Sequence, residues 1–97
     1  MSKLDQAKML MKVRKIQKEL ERQTITIEKG NGAVKVEISG DQKIKHIKID
    51  PEEVNLEDIE ELENWVTDAV REAINTSQKI ATEKMQPMMG ALGDLGL

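Results

Sequence analysis

The sequence contains no cysteine, no phenylalanine and no tyrosine, and it carries one tryptophan, Trp65, one histidine, His46, and two prolines. Without cysteine there is no disulfide, no thiolate zinc site and no cysteine nucleophile, which points to a reducing, cytoplasmic setting. Paired metal-ligand cysteines or histidines, HExxH and GxSxG are missing, and no glycine-rich phosphate loop joins a strand to a helix. His46 lies between Lys45 and Ile47 with no nucleophile or orienting carboxylate fixed beside it, so it reads as a strand-surface or bulge residue. The expectation is a protein that is not an enzyme, with no catalytic residue, metal or cofactor. The near absence of aromatics also removes the platforms on which splayed bases stack, and Trp65 falls at the edge of an apolar helix side where packing is its expected work. No apolar run is long enough to span a bilayer, and Met1-Ser2-Lys3-Leu4-Asp5-Gln6 lacks the apolar stretch of a signal peptide. Neither a membrane nor a small-molecule substrate is expected as a partner.

What is present is charge, unevenly divided. The 97 residues carry a net charge of −3, but residues 1–23 hold +4, residues 24–50 hold +1 and residues 51–97 hold −8. Either the two ends attract each other across a helix packing or a dimer seam, or the basic end meets an acidic polymer. A hydrophobic content of 38% in so short a chain is lean for a self-sufficient core. Three short strands need helices or a second subunit to cover them, so oligomerisation is expected.

The chain is organised around residues 24–51. Ile25 and Ile27, then Val34, Val36 and Ile38, alternate with polar residues in the period-2 pattern of half-buried strands. Gly30-Asn31-Gly32 and Ser39-Gly40-Asp41-Gln42 supply turns, which makes an antiparallel meander of three strands. Ile47 and Ile49 share parity but Ile44 does not; a bulge near Lys45-His46 is expected to bring all three onto the buried face. Asp50-Pro51 ends the ladder. Residues 3–22 lack Gly and Pro and read as helix, with Met9, Val13, Ile16 and Leu20 as the stripe expected to lie on the sheet. After Asn55, expected as an N-cap, a second helix with carboxylates in its first turns runs to about Met85. The fold class is therefore α+β in the order α-β-β-β-α, with residues 1–86 as one domain and residues 87–97, behind Pro87, as a flexible Gly/Leu/Met tail.

Two helix faces are left over. Leu4, Ala7 and Met11 form a second apolar stripe on the first helix, and the distal half of the second helix outruns a three-stranded sheet. Leu4, Ala7, Met11, Ser77, Ile80 and Ala81 are accordingly the candidate dimer contacts. The outward side of the first helix continues as Arg14, Lys15, Lys18 and Arg22, with Lys8 nearby and Lys12 towards the flank. Twenty residues of helix reach roughly 30 Å, long enough to track a polyanion. Duplex DNA gripped by its phosphates fits this side, with little sequence preference. The alternative is a protein–protein interaction module, seated through the apolar stripe and the Met-rich end, in which DNA binding is incidental.

The pieces in order also resemble the YbaB/EbfC family of bacterial nucleoid-associated proteins: Gln6-Ala7-Lys8-Met9, Gly32-Ala33-Val34-Lys35-Val36, Ile47-Lys48-Ile49-Asp50-Pro51, the run Val66, Ala69, Val70, Ala73, and Glu83-Lys84-Met85 before a Gly-Leu end. The resemblance implies a tweezer-like homodimer in the cytoplasm, at the nucleoid, that binds DNA through its helices, compacts the chromosome and modulates transcription. Carried over residue by residue, it implies DNA contacts at Lys8, Lys12, Arg14, Lys15, Lys18 and Arg22, and at Lys79 and Lys84 of the second helix.

Overall fold

The computed structural model describes residues 2–94: helix α1 (Lys3–Arg22), strands β1 (Thr24–Lys29), β2 (Val34–Ser39) and β3 (Ile44–Ile49), a 3-10 turn at Pro51–Glu53, and helix α2 (Ile59–Asp94). The expected α-β-β-β-α order is what forms, and the strands make one antiparallel sheet in the order β1-β2-β3.

The turns follow from their residues. Gly30, Asn31 and Gly32 all take positive φ, at 65°, 57° and 87°, the region that glycine and asparagine enter at least cost. At the second turn the positive φ falls on Gln42, at 67°. Gly40 is required there for a different reason, taken up below. Pairing Glu37 with His46 and Ile38 with Ile44 leaves Lys45 as the extra residue of a bulge, as the parity of the isoleucines predicts. The bulged Lys45 reaches back over the sheet, its Nζ donating to the Gln23 carbonyl (3.3 Å) and to Thr24 Oγ1 (2.8 Å) where α1 ends.

The core is small: Val34, Val36 and Ile38 of β2 against Ala69 and Ala73 of α2, flanked by Ile25, Ile27, Leu62, Trp65, Val66 and Val70. Small α2 residues let that helix lie close on β1 and β2. One end is set by Trp65, whose ring occupies the space a Cβ on Gly30 would need; the other by Ser77, buried, whose hydroxyl donates to the Ser39 carbonyl (2.8 Å).

Four expectations are corrected. First, α1 does not lie on the sheet. Its Met9–Val13–Ile16–Leu20 stripe faces the distal half of α2, and only its C-terminal end meets β2, where Gly40 N donates to the Leu20 carbonyl (2.8 Å). Glu19 pairs with Lys84, and Asp5, Lys8, Met9 and Lys12 lie against Pro87 and Met88, so the two helices run antiparallel as an arm beyond the sheet. The stretch of α2 that outruns the sheet is thus covered by the chain itself. Ser77 is buried, and Ile80 and Ala81 are half-buried. Second, Ile44, Ile47 and Ile49 share the face of Val34, Val36 and Ile38 but remain 41%, 40% and 48% exposed, because α2 spans β1 and β2 and leaves β3 uncovered. Third, the N-cap of α2 is Asp58, whose Oδ1 accepts from Glu61 N (3.2 Å); Asn55 instead closes the preceding turn on Glu57 N (3.0 Å). Fourth, α2 continues through Pro87 to Asp94 rather than ending near Met85. Residues 95–97 of the expected tail lie outside the described residues. The whole is a rod of 65 × 21 × 14 Å.

Candidate nucleic-acid interface

Helix α1 forms because residues 3–22 contain good helix formers and no breaker, with Ser2 as N-cap accepting from Asp5 N (3.2 Å). Its inward stripe is consumed by α2. At about 100° per residue, the side opposite that stripe carries Leu4, Ala7, Met11, Arg14, Lys15, Lys18 and Arg22 in one ridge. Met11, Arg14, Lys15, Lys18, Glu19 and Arg22 line a single groove along it, so the structure brings together the four cations that the spacing groups. Lys8 and Lys12 stand apart, lining the seam with Pro87 and Met88. Lys79 is exposed on the distal half of α2. Lys84 is engaged, 3.7 Å from Glu19.

Electrostatics sort these groups further. Among the described residues, ion pairs within 4 Å hold Lys29 to Glu72, Lys35 to Glu28, Lys43 to Asp41, Lys48 to Glu37 and Lys84 to Glu19. Lys29, Lys35 and Lys48 of the strands and Lys43 of the second turn are therefore paired and Lys45 is not, while Arg14, Lys15, Lys18 and Arg22 likewise have no acidic partner within 4 Å among those residues. The Glu72 carboxylate, hydrogen-bonded to Lys29, holds that amine above its ordinary range. Apart from Glu19 and Glu21 on α1 itself, a cluster of acids stands elsewhere: Asp58, Glu60, Glu61 and Asp68 line a groove beside Trp65 at the start of α2. From Asp68 to Lys84, which pairs with Glu19 of the ridge groove, is about 24 Å of helix axis. No group of three or more acidic, histidine or cysteine side chains able to hold a metal occurs among the described residues. None of the described helices is long and apolar enough to cross a membrane.

Met11 lines the cationic groove, as the 100° count places it on the line that continues through Lys18 and Arg22. The bare isoleucines of β3 have no sequence signal, since alternation does not say what covers a face.

The sequence profile of the YbaB/EbfC DNA-binding family matches residues 1–92. A nucleoid-associated protein of Ruminiclostridium cellulolyticum is 36% identical over 88 residues, covering 91% of this chain and 76% of its own. One of Moorella thermoacetica is 40% identical over 78 residues, covering 80% and 75%. The crystal structure of the uncharacterized protein HP0035 from Helicobacter pylori superposes with a TM-score of 0.77 over 86% of this chain and 87% of that one, at 18% identity, and so shares the fold. With a matching profile over nearly its whole length and relatives of this similarity, the chain belongs to the YbaB/EbfC DNA-binding family.

Proposed function

We propose that this protein is a nucleoid-associated homodimer, resident at the nucleoid in the cytoplasm, that holds duplex DNA through phosphates with little sequence preference and thereby compacts the chromosome and modulates transcription. The observation that carries the reading is the ridge of α1, where Arg14, Lys15, Lys18 and Arg22 share one groove with no acidic partner within 4 Å among the described residues, the Glu19 carboxylate in the same groove being tied to Lys84. Cations at helical spacing suit phosphate oxygens, whose neutralisation releases counterions and carries no base information. Lys8, Lys12 and Lys79 extend the positive surface at its margins. Lys84, tied to Glu19, contributes less.

The dimer is assigned to the β3 face. Glu72, paired with Lys29 of β1, marks one flank of α2; by helical spacing Ile59 and Ile74 lie on the other, towards β3, and are 43% and 36% exposed. With Ile44, Ile47 and Ile49 they form a mainly apolar patch continuous with the core, with Glu63 on the same flank of α2. A two-fold interface must be self-complementary, which an apolar patch is and a patch of one sign of charge is not. Leu4, Ala7 and Met11, exposed on the ridge among like charges, suit a second copy of the same ridge poorly.

The test is binding to a labelled duplex across a salt series with Lys15→Glu and Lys18→Glu combined. Reversing two of the four cations per arm is expected to weaken binding by more than tenfold at 100 mM salt and to flatten the salt dependence. Unchanged affinity would remove the ridge as the site.

A further inference from the structure

The geometry points to Met11 as an apolar wedge that α1 presses between base pairs of the bound duplex, so that the protein bends the DNA it holds; this rests on the ridge being the duplex-binding surface. Met11 is 68% exposed, yet it lines the same groove as Arg14, Lys15, Lys18 and Arg22. Leu4, 64% exposed, and Ala7 continue its line towards the N-terminus. A ligand seated here meets four cations, the Glu19 carboxylate already tied to Lys84, and, beyond the N-terminal end of the cations, apolar side chains.

Duplex DNA offers that combination, with anionic rails on either side of a groove floored by sugar and base edges. An α-helix about 10–12 Å across does not enter a minor groove about 6 Å wide. It lies across the groove with Arg14, Lys15, Lys18 and Arg22 against one rail, and Met11, about one turn beyond Arg14, reaches past that rail towards the groove floor. Methionine is unbranched and conformationally adaptable, and it is among the residue types that architectural proteins insert between base steps, unstacking them and kinking the duplex. The ridge holds no amide or hydroxyl side chain with which to read base edges. What it senses is deformability, so flexible pyrimidine–purine steps are preferred. The competing occupant, a second copy of the chain on the Leu4–Met11 line, would bring two cationic grooves of the same sign together.

The experiment uses the full chain and a short duplex with central TA steps, carrying donor and acceptor dyes at its ends, together with sedimentation of the DNA-free protein. The wild type is expected to shorten the end-to-end distance on binding. Met11→Ala should lose most of that shortening while affinity falls by roughly tenfold or less and the salt slope stays unchanged. Met11→Leu should restore it. Because the side chain is exposed, circular dichroism of the variants should match the wild type. Binding without shortening, or a Met11→Ala protein that bends DNA as the wild type does, overturns the wedge and leaves the ridge intact. A Met11→Ala protein whose DNA-free assembly becomes smaller also overturns it, in favour of the second copy. No duplex binding by the wild type removes the underlying ridge reading, and the wedge with it.

Discussion

Gly40 has no room for a side chain, and that single fact fixes where the arm leaves the body. A Cβ there would lie 2.9 Å from Leu20 Cδ2 and 2.9 Å from the Leu20 carbonyl oxygen. A methyl group can rotate away, but the carbonyl cannot, because it accepts from Gly40 N at 2.8 Å. Gly40→Ala should push the end of α1 off β2 and cost about 1–3 kcal/mol of stability, read as a lower urea midpoint. Glycine at this position reads as a turn residue in the sequence; only the fold reveals that close approach, not positive φ, demands it. Beside it, the Ser39 hydroxyl donates to the Asp41 carboxylate, which holds that carboxyl below its usual range, with Lys43 adding to the effect. A depressed carboxyl stabilises the fold above its unfolded value, and that contribution is lost as pH falls through the lower folded value. Asp41→Asn should therefore remove part of the loss of stability seen on acidification from pH 7 to about pH 3, measured as urea midpoints at both pH values.

Between elements, the sequence is informative about faces and silent about what lies against them. The alternation in β2 and β3 does group Val34, Val36 and Ile38 with Ile44, Ile47 and Ile49, bulge included. It does not reveal that α2 covers only two strands. Ile47→Lys tests the consequence: a charge placed unpaired in the proposed seam costs roughly 3 kcal/mol or more. The DNA-free protein should then sediment as a monomer while its helix signal is retained. A variant that remains dimeric would move the seam elsewhere. The stripe on α1 was legible in the same partial way. Its period predicts one buried side, but whether that side meets a sheet or a helix depends on how far α2 extends. Pro87 obscured that length, because its missing N–H removes one helix bond and reads as a stop. The bond is lost where Met88, next in the chain, is buried beside Met9 of α1, so packing sustains the helix past a local penalty. The cationic ridge was the most legible feature, since it needs only helical spacing and no knowledge of a partner.

At the scale of the molecule, a chain of net charge −3 is asked to hold a polyanion, and distance makes this possible. The acids around Asp58, Glu60, Glu61 and Asp68 stand at the start of α2, and the arm lies beyond the other end of the sheet. The screening length is about 10 Å at 0.1 M salt and about 30 Å at 0.01 M. At ordinary ionic strength the phosphates thus feel the ridge and little of the acids, whereas near 0.01 M the acids come within range. A plot of log K against log salt should accordingly flatten at its low-salt end. Over the rest of the range its slope counts the neutralised phosphates. In the proposed dimer, four ridge cations on each of two arms would give about eight contacts and a slope near −7, at about −0.9 per phosphate. The monomeric Ile47→Lys protein retains one arm, and its slope should fall to about −4 with the ridge itself untouched. Equal slopes for dimer and monomer would mean that one arm alone meets the duplex, and that joining two copies contributes nothing to the grip.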